Sequence, residues 1–318
     1  MCRSCLPAVF CLLLLTGLLS RNTGALAQVS WTMKAPIPLA RNEVALAAVG
    51  GKIHVIGGSV QGVAGTYHDE YDPATDKWRS RAPLPHGLDH IGTAVLDGKI
   101  YTVGGFTASV HKNAQPHVFE YDPATDRWRE LSPLKAGLGS VAVTVLDGKI
   151  HAVGGRNAAG ETVATHQVYD PATAAWSERA PLARARDHMA LVAADGKLHA
   201  IGGRFGASAD KTDMHDIYDP ATNSWTSGPP LPMARSGLAY TLYRNLVLVL
   251  GGELPPKTFA ENEAYDPKTR TWRTLEPMPA GRHGTGAATT GGSVYLAAGS
   301  LKPGSGGVTD QLIVFTLP

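Results

Sequence analysis

Six tryptophans recur at nearly constant spacing along the chain, and this repeat restricts the fold more than any other feature. They lie 47 to 50 residues apart: Trp31, Trp78, Trp128, Trp176, Trp225 and Trp272. Each one after the first ends a phrase that begins with Tyr-Asp-Pro, as in YDPATDKW. An apolar run that ends in two glycines, as in KIHVIGG, begins about 20 residues before each of those tyrosines. The chain therefore consists of five complete copies of one unit and pieces of a sixth at its two ends.

Repeats of roughly 40 to 50 residues that contain several short strands are typical of propeller blades. The order of phrases here resembles the kelch repeat: an apolar run, two glycines, a variable loop, Tyr-Asp-Pro and then Trp. The resemblance covers essentially all of the chain from Gln28 onward. It implies an all-β, six-bladed β-propeller of kelch repeats.

Each unit predicts four strands. In the second unit we expect them at residues 90–96, 99–103, 118–121 and 128–131. Asp97 and Gly98 predict a two-residue hairpin turn between the first two strands. Asp122 and Pro123 begin a turn between the last two, since Asp accepts backbone N–H bonds and Pro fixes φ.

The two ends of the chain predict how the ring closes. After the last apolar run only one further strand remains, Leu312 to Thr316, and the Trp strand that should follow it is missing. A strand around Trp31 is left over at the other end. We therefore expect the N-terminal strand to complete the C-terminal blade, which removes an exposed sheet edge.

Residues 1–27 differ in kind from the repeats. Arg3 precedes a leucine-rich stretch from Leu6 to Leu19, and Ala25-Leu26-Ala27 fits a cleavage site. This pattern predicts a secretory signal peptide, and the stretch is shorter than the roughly 20 residues that span a bilayer. An uncleaved anchor is the alternative. We expect a mature propeller of residues 28–318 that is secreted or periplasmic, with no membrane span after cleavage.

Cysteine and charge counts narrow the chemistry of the mature chain. All three cysteines, Cys2, Cys5 and Cys11, lie in the leader, so no disulfide is expected in the propeller. The leader also contains Arg3 and Arg21, which leaves 27 of the 29 basic residues against 27 acidic ones. A net charge of zero argues against nucleic acid as a partner.

The loops are expected to sort onto two faces, because strand direction alternates within each blade. The Asp-Gly and Asp-Pro-Ala-Thr turns share one face and are short and nearly identical. The loops after the glycine pairs and before each first strand share the other face and vary in length and sequence. Since binding residues concentrate in variable loops on a rigid frame, residues that break the repeat on this face are candidates for function.

The residues that lead into the first strands break the repeat in this way. Nine of them are candidate ligand-binding residues around one end of the channel: Arg41, Asp89, His90, Arg186, Asp187, His188, Arg235, Arg282 and His283. Arginines favour carboxylates, phosphates or sugar acids, because a guanidinium forms forked pairs of hydrogen bonds. The alternative, which the kelch resemblance implies, is that these arginines only staple neighbouring blades, and the sequence leaves both roles open.

Other histidines recur at equivalent positions in several units. One set is His54, His151 and His199, and another is His68, His166 and His215. Equivalent positions away from the axis are too far apart to share an ion at about 2 Å per ligand, so we expect no metal there and no cofactor. The loop with Asp210, Asp213, His215 and Asp216 is interpreted as solvated charge, a hard-cation site being the alternative.

Two enzyme families resemble this arrangement. The kelch-type copper radical oxidases need a Tyr–Cys crosslink, which a mature chain without cysteine lacks. The periplasmic sialic acid mutarotases are similar six-bladed propellers, and that resemblance implies a catalytic Glu after a strand-ending Gly, with an Arg a few residues on. Here Glu253 follows Gly252, but the only cation on its loop is Lys257. Glu253 would serve as acid or base if burial raised its pKa.

The sequence therefore favours an exported, non-enzymatic binding propeller. We expect it to bind another protein, an anionic sugar or another small molecule on its variable face. We also expect the propeller itself to be a monomer. The alternative is a mutarotase or epimerase that acts on a sialic-acid-like sugar through Glu253. A closed pocket of polar groups would favour the small ligand, and an open dish would favour a macromolecule.

Overall fold

The computed structural model describes residue 1 and residues 30–107, 111–206 and 209–316. Nearly all of the expected signal peptide lies outside the described residues, so the leader, its cleavage and the localisation stay predictions. No helix in the described parts of the chain is long and apolar enough to cross a membrane. The described residues form six four-stranded antiparallel sheets and three short two-stranded ribbons.

The first three blades take their strands consecutively from the chain, from the axis outward. Blade 1 comprises Ala45–Val49, Lys52–Ile56, His68–Asp72 and Lys77–Ser80. Blade 2 comprises Gly92–Leu96, Lys99–Val103, Val118–Asp122 and Arg127–Glu130. Blade 3 comprises Ala142–Leu146, Lys149–Val153, His166–Asp170 and Ala175–Glu178.

The other three blades follow the same order, except that the last one borrows a strand. Blade 4 comprises Ala190–Ala194, Lys197–Ile201, His215–Asp219 and Ser224–Ser227. Blade 5 comprises Ala239–Tyr243, Leu246–Leu250, Asn262–Asp266 and Thr271–Leu275. Blade 6 comprises Gly286–Thr290, Ser293–Ala297, Leu312–Thr316 and Ser30–Lys34. The ribbons pair Ser59–Val60 with Val63–Ala64, Leu138–Gly139 with Arg156–Asn157, and Glu253–Leu254 with Lys257–Thr258.

The predicted closure of the ring is confirmed. Ser30–Lys34 pairs antiparallel with Leu312–Thr316, and Trp31 lies opposite Phe315 in the register. The two rings pack with their centroids 4.9 Å apart. The innermost strand of blade 6 also contacts that of blade 1, so the six innermost strands form a closed ring around the axis.

The repeated aromatic residues form the packing between blades. Six hydrophobic clusters are present, and each one joins residues of two neighbouring blades. The five repeat tyrosines are at most 3% exposed. Every repeat tryptophan donates its indole N–H to a backbone carbonyl near an inter-blade connection, as Trp78 does to Ala35 at 2.7 Å. Packing and one hydrogen bond per indole therefore account for the phrase that defines the repeat.

The turn prediction is confirmed, and one strand boundary is corrected. Asp97 and Gly98 have φ of 50° and 73°, the two positive values of a type I′ hairpin turn. The strand expected at residues 90–96 begins only at Gly92. His90 has a φ of 51°, and a left-handed residue cannot continue a strand, so its side chain is aimed by a loop instead.

Three blades contain a buried pair of histidines, which are the two recurring sets seen in the sequence. His54 Nδ1 lies 2.9 Å from His68 Nε2, and His68 Nδ1 lies 3.0 Å from the Ala82 carbonyl oxygen. Because a carbonyl only accepts, Nδ1 of His68 carries its proton and Nε2 accepts from His54. The other pairs, His151–His166 and His199–His215, repeat the 2.9 Å contact. Burial lowers the pKa to about 4 for the first histidine of each pair and about 3 for the second.

We predict that these pairs make the fold sensitive to acid. Their folded pKa lies below the usual 6.5, so unfolded chains take up protons first, and stability falls as the pH drops from about 6.5 towards 4. Blade 5 has Leu248 and Asn262 where those three blades have the two histidines. Asn262 donates to the Glu276 carbonyl oxygen at 2.7 Å, as the second histidine of each pair does to the equivalent carbonyl oxygen.

The double variant His199→Leu with His215→Asn gives blade 4 the same two residues as blade 5. Urea unfolding at pH 7.5 and pH 4.5 should show a smaller acid loss for the variant. An equal loss in both proteins would contradict this assignment.

Candidate ligand-binding site at the channel mouth

Three consecutive residues lead into the innermost strand of each blade, and we call them the first, second and third entry positions. The first is Arg41, Leu88, Leu138, Arg186, Arg235 or Arg282 in blades 1 to 6. The second is Asn42, Asp89, Gly139, Asp187, Ser236 or His283. The third is Glu43, His90, Ser140, His188, Gly237 or Gly284. The structure gives each position a different environment.

The four arginines at the first entry position are fully buried. Arg41 lies 2.9 Å from the Asp69 carboxylate and donates to the carbonyls of Gly57 and Val55. Each of the others bonds to the third strand of its own blade or the residue before that strand: Arg186 to Asp216, Arg235 to Glu263 and Arg282 to Gln311. These contacts hold each arginine inside its own blade, which is a scaffold role but not the stapling of neighbouring blades that the kelch resemblance implies. None of the four side chains lines the channel or its mouth.

The third entry position forms the mouth itself. A cavity of about 90 Å³ is lined by all six of these residues and by the residue that follows each of them, which is apolar in blades 1 to 5 and Thr285 in blade 6. All six have a positive φ, between 51° and 65°. Successive backbone bonds join them: His90 N–H to Glu43 O, Ser140 to His90, His188 to Ser140 and Gly237 to His188, at 2.9 to 3.4 Å. The mouth is therefore a ring of left-handed residues in which backbone bonds join the positions of blades 1 to 5, while Gly284 of blade 6 accepts from Val44 N–H at 3.4 Å.

Four of these six left-handed residues are not glycine. A left-handed conformation costs about 1 kcal/mol or more for a residue with a Cβ, and blades 5 and 6 avoid that cost with Gly237 and Gly284. Glu43, His90, Ser140 and His188 accept the strain and present polar side chains to one cavity. Strained residues that cluster at a cavity point to function there.

The second entry position pairs with the residue that follows each glycine pair. Isolated bridges or short ribbons join Asn42 to Ser59, Asp89 to Phe106, Gly139 to Arg156, Asp187 to Arg204, Ser236 to Glu253 and His283 to Ser300. The sequence analysis recognised Glu253 at this position and missed Arg156 and Arg204. The same rule, applied to the residue after every Gly-Gly, would have found both.

Histidine, aspartate and arginine side chains meet on the blade 2 to blade 4 side of the mouth. His90 Nδ1 lies 2.7 Å from Asp89 and its Nε2 lies 3.1 Å from Glu43. Burial alone would lower the pKa of His90, but these two carboxylates outweigh it and raise the pKa. The sequence-predicted Asp89 and His90 are therefore brought together at the mouth.

Blade 4 repeats this arrangement and adds a guanidinium. His188 Nδ1 lies 2.5 Å from Asp187, and Arg204 Nε donates to the same carboxylate oxygen at 2.8 Å. Burial would raise the pKa of Asp187, but His188 and Arg204 outweigh it and hold that pKa far below its usual range. Burial and the charge of Arg204 lower the pKa of His188. Asp187 is thus an ionised anchor that orients an imidazole and a guanidinium.

His111 completes this group from the loop after Gly104-Gly105. Its Nε2 lies 3.1 Å from His188 Nε2 and 3.2 Å from Arg204 Nη2. The sequence analysis missed His111, because these loops share no sequence phrase and the loop of equal length in blade 6, residues 300–311, has no histidine to compare. Burial, together with the nearby His188 and His90, lowers its pKa.

Glu253 lies on the blade 5 side of the mouth in a second polar group. Its carboxylate is 2.9 Å from Lys211 Nζ, accepts the Gly304 N–H at 3.0 Å and lies 3.6 Å from His283 Nε2. Burial would raise the pKa of Glu253, but His283, Lys211 and that N–H outweigh it and lower the pKa. Burial therefore does not raise the pKa of Glu253, which was the condition for Glu253 to serve as a catalytic acid or base. The cation partner comes from the blade 4 loop, while Lys257 pairs with Glu261.

The acidic loop of blade 4 does not form one cluster. Asp210 and Asp213 are exposed, whereas Asp216 bonds Arg186 and His215 bonds His199 inside the blade.

Below the mouth, a channel of about 410 Å³ runs between the innermost strands and is lined mainly by small, apolar and threonine side chains. The charged groups are thus concentrated at the loop-bearing end.

We predict unequal costs when the buried arginines are replaced by methionine. Arg235→Met leaves the Glu263 carboxylate, 2% exposed, without its cation, and breaking a buried ion pair costs about 3 to 5 kcal/mol. Arg282 has a neutral partner, and its Nε and Nη1 have no partner among the described residues. Arg282→Met should therefore cost less than about 1.5 kcal/mol. Urea unfolding of the two variants measures the difference, and equal losses would contradict the scaffold role that these contacts assign to the arginines.

Comparison with known proteins agrees with this architecture. The Kelch motif matches residues 89–135, 138–183, 185–232 and 234–279, which together make up more than half of the chain. No curated protein matches the sequence. The solved structure of YjhT is similar, with a TM-score of 0.74 over 88% of this chain and 96% of that one; at 20% identity this likeness shows the fold alone. The chain belongs to the family of proteins built from kelch motifs.

Proposed function

We propose that this protein is an exported, non-enzymatic binding propeller that holds a small ligand with a carboxylate or similar anionic group at the channel mouth. The observation that carries the proposal is the ring of third entry positions. Four polar residues keep a strained left-handed backbone where two blades use glycine, and all four line one cavity.

Size and charge at the mouth support a small anionic ligand. A cavity of about 90 Å³ has room for roughly three water molecules at about 30 Å³ each. It therefore fits a carboxylate, while the body of a sugar acid would lie across the surrounding loops. Arg204 and Arg156 are the arginines beside this opening, and a guanidinium binds a carboxylate in a forked pair. A concave site with converging polar groups favours a small ligand over a protein partner.

Two further parts of the proposal rest on weaker support. Export rests on the leader pattern of residues 1–27 alone. Binding without turnover is supported by Glu253, whose carboxylate is held in a buried ion pair with Lys211. A carboxylate in that state favours structure over proton donation.

We predict that binding of a sugar acid depends on Arg204. Titration calorimetry with N-acetylneuraminate, glucuronate and galacturonate should find a ligand for the protein. Arg204→Gln should weaken it by about tenfold or more, because a charge-assisted hydrogen bond contributes about 1.5 to 3 kcal/mol. The control is Arg129→Gln, whose side chain is 68% exposed on an outer strand. Equal affinities for both variants, or no binding of any anion, would contradict the proposed function.

A second function, exchange of sugar anomers, is favoured by the contact between Glu253 and His283. The Glu253 carboxylate lies 3.6 Å from His283 Nε2, which contacts the Lys302 carbonyl oxygen at 3.0 Å, so a proton would pass between the two side chains only through a bridging group such as water or a sugar hydroxyl. If this function operates, the protein accelerates anomer exchange, Glu253→Gln removes the acceleration, and Glu178→Gln, exposed on an outer strand, leaves it intact. NMR of the anomeric protons measures the rate. Absence of acceleration by the unmodified protein would leave binding as the function.

A further inference from the structure

Three imidazoles converge at the mouth from three separate elements. His90 and His188 are the third entry residues of blades 2 and 4, and His111 comes from the loop after Gly104-Gly105. One nitrogen from each ring lies within 4.8 Å of a nitrogen of the other two. Among the residues that the structure describes, this is the one group of three or more side chains with metal-ligand spacing.

The distances are close to those of a metal site. Two ligands about 2.0 to 2.1 Å from a tetrahedral Zn²⁺ are roughly 3.4 Å apart, and the Nε2 atoms of His111 and His188 are 3.1 Å apart. A small outward movement of a loop side chain would suffice to reach that spacing. The expectation that equivalent histidines are too far apart concerned the recurring sets away from the axis, whereas this group lies at the mouth.

Carboxylates orient two of the three rings. Asp89 accepts from His90 Nδ1 at 2.7 Å, and Asp187 accepts from His188 Nδ1 at 2.5 Å. In metal sites the ligating histidine regularly donates its other N–H to a carboxylate, which fixes the tautomer and turns Nε2 towards the ion. In His90 that Nε2 lies 3.1 Å from the Glu43 carboxylate, a contact that a bound ion would replace. The same pairing in two blades at one cavity is more than packing requires.

The guanidinium of Arg204 lies beside two of these rings, where a bound metal ion would otherwise supply the positive charge. Its Nη2 lies 3.2 Å from His111 Nε2 and 3.1 Å from His188 Nε2. An amino group of guanidinium has two hydrogens, so it can donate one to each lone pair. Two imidazole nitrogens 3.1 Å apart need a positive group beside them or a proton between them, and a metal ion would supply that charge once Arg204 turns aside.

We propose that His90, His111 and His188 bind one divalent transition-metal ion of the Zn²⁺ class. Three histidine ligands with a further coordination position leave room for water or for an anion. The inference goes beyond the proposed function, because metal binding requires no sugar acid. The two differ in their dependence on Arg204, which attracts an anion and repels a metal ion.

The test is calorimetry of the metal-free full-length chain with Zn²⁺, with a chelator of known affinity as competitor. We expect one ion per chain with a Kd below about 1 µM. His111→Ala, which changes only a loop side chain, should weaken binding by more than about 100-fold, and Asp89→Asn by about 10- to 100-fold. His86→Ala, an exposed histidine outside the group, should have no effect. Thermal unfolding without metal checks that each variant is folded.

Arg204→Gln separates the two proposals. It should tighten Zn²⁺ binding by about tenfold, since a positive charge within about 4 Å is removed, whereas it weakens binding of a sugar acid. Cobalt substitution should give the visible absorption of a nitrogen-coordinated ion in the unmodified protein and lose it in His111→Ala. Micromolar or tighter Zn²⁺ binding that survives His111→Ala, or no one-to-one binding at all, would overturn the metal site and leave the sugar-acid proposal unaffected.

Discussion

The ring of left-handed residues at the third entry positions is the constraint on which the site depends. Radial packing of six blades brings six equivalent residues to one small circle, all six have a left-handed backbone, and backbone hydrogen bonds join those of blades 1 to 5 in succession. Side chains there point at a common cavity whatever their chemistry. Glu43, His90, Ser140 and His188 therefore act as one group although they are distant in sequence.

The distance of a side chain from this ring distinguishes residues that stabilise the scaffold from residues that form the site. The first entry arginines lie beneath it and bond their own blades, as Arg41 does to Asp69. The histidine pairs such as His54–His68 lie farther out between strands, where burial keeps them neutral. At the mouth the same residue types meet carboxylates and one another instead. Residue type alone thus carries little information about role in a propeller, and position relative to the axis carries much more.

Much of the fold was predictable because packing between identical units repeats its signals. Tryptophan spacing gave the blades, and the unpaired strand around Trp31 gave the closure. The site was predictable only in part. Asp89, His90, Asp187 and His188 break the repeat and were among the candidates, while the role of the four arginines stayed open because a sequence does not show depth. Arg204 was missed because the rule that singled out Glu253 was applied to one unit only, and His111 was missed because its loop shares no sequence phrase with the others, so no periodicity singles it out.

Amide hydrogen exchange at the third entry positions tests the central claim most directly. If the ring exists, the amides of His90, Ser140 and Gly237 are bonded to the preceding blade and open only with large-scale unfolding. They should then exchange as slowly as amides of the innermost strands, although they belong to inter-blade loops. Exchange as fast as that of exposed loop amides would mean that the ring is absent and that the mouth side chains are not held together.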